Sequence, residues 1–389
     1  MIIVDSSFKL KPEDQLLLCC VNTWKDAKNE TKIKSLINSD LDWDYLLELA
    51  SRHKLLPLLY WQLEHICLDE IPSEFMQNLK EFLKNNASKN LFFMKEVIEV
   101  IKTLNEQDIQ SVPYKGPILA QQAYGNLTMR QFGDIDLFVR KDDVPRIKEI
   151  LISKGYTPEF NLDSVQEQNY LKSQRELKFD HELKGICLEL HWKFSGVFLN
   201  LPSNAEEIFL DDLNTLNMGG VLIREISPEN LLLILSIHNA SHQWGRLAWL
   251  VDIVTLIKNK EMDWQKVLKI SRQLSIQKIL FINLYMCQIL FNLELDNDIS
   301  GHLNGDSMIK VSNSFLENYF LDISENSLME NMIISISLRE RKLDGIKDCL
   351  SGIFNPSFYE LKHLKLPSPL FFLYYVYRPL NLMKRFKLF

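Results

Sequence analysis

The sequence predicts an α+β protein in which a small mixed sheet lies between N-terminal and C-terminal helical regions. Three observations support this prediction. Apolar residues recur at three- and four-residue spacing up to residue 106, short apolar runs follow in 107–226, and helical spacing returns afterwards. We therefore predict a helical region at 1–106, a core at 107–226, helices packing on that core at 227–293, and a helical C-terminal extension at 294–389.

Composition places the chain among folded globular proteins. It has 389 residues, of which 46% are hydrophobic and 24% are charged. A net charge of −7 argues against long nucleic acid as a partner, because backbone binding needs a broad cationic face. The six cysteines show no paired C-x-x-C spacing, which predicts buried, reduced thiols. The first residues lack the basic and apolar regions of a secretion signal, so we expect a cytoplasmic protein.

The N-terminal region carries clear helix-start signals. Pro12 and Glu13 suit the start of one helix, the segment Ser39–Asp42 suits the start of another, and Pro72-Ser73 opens a long helix that runs towards Leu104. Its mixed charged face is typical of a solvated surface. We interpret this region as structural packing, with recognition of an acceptor substrate as the alternative.

The core shows six strand-like runs and one well-formed helix. The helix extends from Asp142 to about Lys154, with acids in its first turn and Gly155 after its end. Neighbouring runs without a regular helix between them, at 175–193, predict an antiparallel pair and hence a mixed sheet. No dinucleotide-binding or Walker glycine pattern is present. The predicted strands lie near 111–114, 134–140, 156–160, 175–182, 186–193 and 220–226.

Two acids interrupt the most apolar of these runs. In a strand, Asp134 and Asp136 point to one face while Ile135 and Leu137 point to the core. Two carboxylates on one surface repel each other unless a cation lies between them, so this pattern predicts a metal site. The plain alternative is that Asp-x-Asp merely ends a strand and caps the next helix.

Two further stretches fit a phosphoryl-transfer site. Lys115 and Gly116 lie in a turn before a helix with Pro117 near its start, and a helix start attracts phosphate. Downstream, Glu189 interrupts another apolar strand and alternates with Leu188 and Leu190, which places it on the open face. Three carboxylates facing such a turn are typical of two-metal phosphoryl transfer. Asp180 and Glu182 remain alternatives to Glu189 by position.

The order of these motifs resembles the nucleotidyltransferase superfamily of DNA polymerase β. More narrowly, it is similar to a bacterial family known simply as nucleotidyltransferases, some of which accompany peptide or surface-polymer biosynthesis genes. The segments Asp42–Tyr60 and Arg246–Asp252 resemble that family's flanking helices, so the likeness covers roughly 40–290. Lys115-Gly116-Pro117 replaces the usual Gly-Ser or Gly-Gly turn, and the third carboxylate is Glu where Asp is commoner.

The resemblance implies a polymerase β-like core and transfer of a nucleoside monophosphate from an NTP to a hydroxyl or similar acceptor. The acceptor would be a small molecule, a peptide or a protein, and pyrophosphate would be released. Mg²⁺, or Mn²⁺ in its place, would be the cofactor. The resemblance implies Asp134, Asp136 and Glu189 as catalytic metal ligands, and Lys115, Gly116, Arg130, Gly133 and His191 as nucleotide-binding residues.

Two other classes of function fit the same residues. One is a non-catalytic nucleotide-binding scaffold in a biosynthetic complex, and the other is a metal-dependent hydrolase or a phosphotransferase acting on the γ-phosphate. His238 and His242 are spaced for a shared metal, but packing or hydrogen bonding is the better interpretation. Arg246 and Asp252 either reach the site or form a structural ion pair.

The C-terminal stretch 367–379 is rich in aromatic residues and is followed by Lys384, Arg385 and Lys387. Its apolar run is much shorter than the roughly 20 residues that span a membrane, and proline interrupts it. We expect a tail packed on the body of the protein. Peripheral membrane contact or a partner groove is the alternative.

Overall fold

A computed structural model describes residues 10–22, 27–66, 70–195, 199–320 and 328–385 of the chain. Five helices precede the first strand, as the sequence predicts. The long helix from Ser73 covers 33 residues, and the Asp42 side chain caps the third helix by accepting a hydrogen bond from the Tyr45 amide. The helices are α1 (Pro12–Val21), α2 (Ala27–Ile37), α3 (Trp43–Arg52), α4 (Leu56–Ile66) and α5 (Ser73–Asn105).

The core contains a five-stranded mixed sheet. Its strands are β1 (Ser111–Pro113), β2 (Asp134–Val139), β3 (Thr157–Pro158), β4 (Glu176–His181) and β5 (Ile186–His191), in the order β1-β2-β5-β4-β3. Only β2 and β5 run parallel, whereas every other pair is antiparallel. The predicted antiparallel pair and the mixed sheet are thus confirmed. The helices of this region are α6 (Gly116–Leu119), α7 (Val144–Ser153) and α8 (Ser164–Ser173).

A two-stranded hairpin follows the sheet after the short helix α9 (Ala205–Leu210). Its strands are β6 (Leu213–Met218) and β7 (Val221–Ile226), and they form a sheet of their own. The sequence predicted β7 but not β6. Half of the residues of β6 are exposed and none is buried, and the sequence Leu213–Met218 lacks the strict alternation of apolar and polar residues that marks a half-buried strand.

Helices make up the rest of the described chain. The first of them begins at Pro228, next to the predicted boundary at residue 227. They are α10 (Pro228–Ser241), α11 (Leu247–Asn259), α12 (Trp264–Gln273), α13 (Gln277–Phe291), α14 (Asn297–Ser300), α15 (Asp306–Phe320), α16 (Leu328–Leu338), α17 (Lys342–Phe354), α18 (Phe358–His363) and α19 (Leu373–Arg385).

One face of the five-stranded sheet is covered by helices and the other carries polar groups. Apolar residues of α5 and α7, including Val97 and Ile147, pack against Ile135, Leu137 and Leu188. The predicted packing of the 142–154 helix on the sheet is therefore confirmed. The opposite face of β2 and β5 presents the acidic residues, which leaves that face open for a site.

The C-terminal aromatic segment packs in part on this core. Phe371 and Tyr374 are buried in the cluster that includes the sheet, whereas Phe372, Val376 and Leu380 are about 60% exposed. Lys387 lies outside the described residues, so membrane contact by the tail stays a prediction. None of the helices in the described ranges has the length and apolar character that crossing a bilayer demands. Of the five cysteines in the described ranges, four are buried and Cys187 is partly exposed.

His53 joins three separate parts of the helical scaffold. The Leu247 amide donates a hydrogen bond to Nδ1 at 3.2 Å, so the proton resides on Nε2, which lies 3.0 Å from the Tyr319 carbonyl oxygen and donates to it. The ring is 2% exposed, and burial lowers the pKa of His53 to about 4. The native state therefore requires the neutral ring, because Nδ1 must accept a hydrogen bond.

Acid should destabilise the fold through His53. A pKa of about 4 in the folded chain and about 6.5 in the unfolded chain gives a contribution that is fully present above pH 6.5 and is lost as pH falls towards 4. We expect this loss to reach about 3 kcal/mol. Urea unfolding across this pH range should therefore show a weaker pH dependence for His53→Gln than for the wild type. Identical pH dependence would contradict this assignment.

Candidate active site

Strand alternation brings the acidic residues together on the open face of the sheet. The parallel register of β2 and β5 places Asp136 directly opposite Glu189. Asp134 lies two residues before Asp136 on the same face, while Ile135 and Leu137 are each 1% exposed on the other face. The prediction that Glu189 alternates with buried leucines is thus confirmed.

The three carboxylates line one cavity of about 440 Å³, which is within the range of small-molecule sites. Lys115 and Gly116 of the predicted phosphate turn line the same cavity. Asp180 and Glu182, the positional alternatives to Glu189, are not among its lining residues, and neither is Gly133. The cavity also holds Arg130 and His191, so the structure gathers most of the predicted site residues.

Gly116 allows the turn to approach strand β2 closely. Its φ is +53°, and a Cβ at this position would lie 2.9 Å from the Asp134 carbonyl oxygen. Both the left-handed backbone and this contact exclude a side chain. The chain can therefore bring the start of α6 beside the acidic strand only with glycine at this position.

Replacing Gly116 with alanine should destabilise the protein by about 2 kcal/mol or more, because strain adds to the clash with a strand backbone. Gly133→Ala is the matched control, since an added Cβ meets nothing within 4 Å there. We expect that control to stay within about 0.5 kcal/mol of the wild type. Chemical unfolding of both variants tests this, and equal stability of the two would contradict it.

Two lysines and a histidine contact the carboxylates. Lys115 Nζ lies 2.9 Å from Asp136 Oδ1, and Lys178 Nζ lies 2.5 Å from Glu189 Oε1. His191 Nε2 is 3.1 Å from Asp136 Oδ1 and 3.3 Å from Glu189 Oε2. The two acids are therefore held at a fixed spacing by positive or polar groups on their own sheet and on the turn.

These contacts set the ionisation of the site. Burial alone would raise the pKa of Asp136, but Lys115 and His191 outweigh it and hold that pKa well below its usual range. In the same way, His191 and Lys178 outweigh burial and lower the pKa of Glu189 to about 2. Burial, followed by the charge of Asp136, instead raises the pKa of Asp134. At neutral pH at least Asp136 and Glu189 are anionic and can act as ligands.

The residues fit a divalent cation. One ligand atom each from Asp136, Glu189 and His191 lies within 4.8 Å of the other two. His191 Nε2 is buried and makes no hydrogen bond of acceptable geometry, although it faces both carboxylates. Carboxylate oxygens suit Mg²⁺ and Mn²⁺, and an imidazole nitrogen is the better ligand for transition metals. Asp134 lines the cavity beside this compact group without being part of it.

Arg130 is fixed by a buried ion pair. Its Nε and Nη2 donate to the two carboxylate oxygens of Asp252, each at 2.9 Å, and the Tyr124 hydroxyl donates to Asp252 Oδ1 at 2.8 Å. Asn90 of α5 donates to the Arg130 carbonyl oxygen at 2.8 Å. Asp252 thus forms a structural ion pair, with Arg130 as its partner, while Arg246 lines the cavity.

Helices α10 and α11 form the wall that faces the sheet. His238, His242 and Trp249 lie with ring centroids 4.6–5.3 Å apart and line the cavity. Burial lowers the pKa of both histidines, that of His242 to about 4, so both rings are neutral at pH 7. Neither ring belongs to the group of Asp136, Glu189 and His191 that could hold a metal ion. Ring packing, the favoured interpretation of this pair, accounts for their position.

Sequence reasoning missed Lys54, which reaches the cavity from the N-terminal helices. Lys54 follows the C-terminal end of α3 and has a φ of +57°, a conformation in which glycine is usual. This conformation is seen only in the structure, so no signal in the sequence marked Lys54. The N-terminal region is therefore more than packing, because it supplies part of the cavity wall.

The site thus combines a mixed sheet, paired acids on the open face of that sheet and a glycine turn beside them. A family model described as "Uncharacterised nucleotidyltransferase" matches residues 39–292. This match covers more than half of the chain, so the protein belongs to that family of nucleotidyltransferases. Its span includes Lys54, the whole sheet and helices α10 and α11. No curated protein matches the chain.

Proposed function

We propose that the protein is a metal-dependent nucleotidyltransferase that moves a nucleoside monophosphate from an NTP to a hydroxyl or similar group of an acceptor. The observation that carries this proposal is the common cavity of Asp134, Asp136 and Glu189, which lies beside the Lys115-Gly116 turn. The family match supports the same reaction class.

In this proposal the three carboxylates hold two Mg²⁺ ions, or Mn²⁺ in their place. Such ions supply charge neutralisation for the triphosphate and lower the pKa of an acceptor hydroxyl. Asp136 would be the central ligand residue, since it lies between Asp134 along its strand and Glu189 across the sheet. His191 contacts both Asp136 and Glu189 and so fixes their spacing.

Lys115 and Gly116 bind the triphosphate. Gly116 leaves the backbone of the turn accessible at the start of α6, and Lys115 Nζ carries positive charge to within 2.9 Å of Asp136. The Lys115 ammonium would therefore contact a phosphate group held beside Asp136. Arg130 contributes its charge from the cavity wall, while its ion pair with Asp252 fixes its orientation.

The reaction forms one bond and breaks another at the α-phosphorus. The acceptor oxygen attacks this phosphorus, the bond from it to the bridging oxygen breaks, and pyrophosphate leaves with the electron pair. The hydroxyl proton passes to Glu189 or to solvent. The acceptor, whether a small molecule, a peptide or a protein, would enter beside the wall of His238, His242 and Trp249.

Position-specific labels test the proposal. The purified protein is incubated with Mg²⁺ or Mn²⁺, candidate acceptors, and NTPs labelled at either the α- or the γ-phosphate. We expect the α-label in the product and release of pyrophosphate, both abolished by a chelator. Transfer or release of the γ-label alone would show a phosphotransferase or hydrolase, and binding without turnover would show a scaffold. Either result would overturn the proposal.

A further inference from the structure

The cavity contains more positive charge than its own acids neutralise. Seven of its lining residues are lysine or arginine, and four of them pair with a carboxylate within 3.1 Å. Within the described ranges, the other three form no ion pair with a carboxylate: Lys54, Lys193 and Arg246. Lys193 is exposed, whereas Lys54 and Arg246 are partly buried. An unpaired cation in a partly buried site is costly, so Lys54 and Arg246 indicate a missing negative partner.

Lys54 and Arg246 line the same cavity although they are almost 200 residues apart in sequence. The residues next to them are in contact, because the Leu247 amide donates a hydrogen bond to His53 Nδ1. Lys54 belongs to the turn between α3 and α4, and Arg246 is the residue before α11, where its guanidinium carbon lies 5.4 Å from the centre of the Trp249 ring. Burial is the largest cause that lowers the pKa of Lys54, and the charge of Arg246 is the next. Two like charges are thus held together in a partly buried place.

The location of this pair favours a phosphate ligand. Asp134, which belongs to the proposed catalytic face, is the acidic residue whose negative charge raises the pKa of Lys54. The backbone of Lys54 is held in its left-handed conformation by hydrogen bonds from the Lys54 amide to the Ser51 carbonyl and from the Leu55 amide to the Ala50 carbonyl. The side chain therefore extends from a fixed point into the cavity.

We propose that Lys54 and Arg246 together bind a phosphate group beside Asp134. The inference rests on the proposed function, in which the polyphosphate end of the nucleotide is one source of that phosphate. A phosphate carried by the acceptor is the other source. In either case the ligand supplies the negative charge that the pair lacks, through charge-assisted hydrogen bonds.

The test measures binding of tripolyphosphate, inorganic phosphate, ATP and adenosine to the full chain by calorimetry. The variants are Lys54→Ala and Arg246→Ala. Lys89→Ala is the control, since Lys89 influences Lys54 electrostatically but is exposed and does not line the cavity. We expect each test variant to bind tripolyphosphate about 10- to 100-fold more weakly, because each loses a charge-assisted hydrogen bond. Adenosine binding and the control should stay unchanged.

The ligands separate the two sources. An equal loss of ATP and tripolyphosphate affinity assigns the pair to the nucleotide, whereas loss of inorganic phosphate affinity with unchanged ATP affinity assigns it to the acceptor. Thermal unfolding without ligand adds a second readout: Lys54→Ala should be as stable as the wild type or more stable, because a repulsion is removed. Arg246→Ala is not used for this readout, since it also loses the contact with Trp249. Unchanged affinity for all three phosphate ligands, or lower stability of ligand-free Lys54→Ala, would overturn the inference.

This outcome is independent of turnover. If no acceptor ever receives a nucleotide, weaker phosphate binding by the two variants still supports the pair as a phosphate site. If transfer does occur but Lys54→Ala and Arg246→Ala bind phosphates like the wild type, the inference fails while the proposed function stands.

Discussion

Replacing Asp136 with asparagine should lower nucleotidyl transfer by about 10³-fold or more, because the side chain lies at the centre of the acidic face. Asp136 contacts Lys115 and His191 and lies opposite Glu189, so its charge cannot be replaced by a neighbour without a change in geometry. Initial rates of α-label transfer for wild type and variant measure this effect.

Asp180→Asn is the control for this substitution. Asp180 belongs to the neighbouring strand β4, is exposed, and does not line the cavity. It should transfer nucleotide at the wild-type rate and unfold at a temperature close to that of the wild type. Asp136→Asn takes the negative partner away from Lys115 and should unfold at a lower temperature, so the rates are compared at a temperature where both variants are folded. Equal activity of Asp136→Asn and wild type would show that nucleotidyl transfer does not require the Asp136 carboxylate.

The largest effect on stability is expected at Asp252. Asp252→Leu removes the one carboxylate whose two oxygens accept hydrogen bonds from the buried Arg130 guanidinium. It also removes the acceptor of the Tyr124 hydroxyl. Leaving a buried charge without its partner lowers the free energy of unfolding by about 3–5 kcal/mol. We therefore expect the free energy of unfolding to fall by that amount in urea titrations.

The double variant Arg130→Met/Asp252→Leu distinguishes the cause. It removes both charges, so it should recover most of the stability lost in the single variant. A double variant as unstable as Asp252→Leu would show that the loss comes from packing and not from the stranded charge. The same variant should bind NTP more weakly if Arg130 contributes charge to the triphosphate site.

The acidic face of the sheet was predictable because its signal is local. Asp134, Asp136 and Glu189 alternate with buried residues along their strands, which places each acid on the face opposite its buried neighbours. This alternation is a property of each strand alone and can be read without the rest of the chain. The register that sets Asp136 against Glu189 was not predictable in this way, since it depends on which strands become neighbours. The parallel pairing of β2 and β5 supplied it.

Groups that reach the site from distant helices could not be predicted. Lys54 lies 80 residues before Asp134, and its helix end resembles an ordinary surface turn in sequence. For the same reason the sequence did not decide whether Arg246 and Asp252 reach the site or form an ion pair. The partner of Asp252 is Arg130, which lies 122 residues away in sequence. Only the packing of α3, α11 and the sheet determines these contacts.

Binding of Mn²⁺ in the absence of nucleotide tests the metal site most directly. The electron paramagnetic resonance signal of free Mn²⁺ reports how much metal each form of the protein binds. Wild type and Asp180→Asn should bind Mn²⁺ equally, with Mg²⁺ as a competitor, whereas Asp136→Asn and Glu189→Gln should bind it at least about tenfold more weakly. Equal Mn²⁺ affinity in all four proteins would contradict a metal site at these carboxylates.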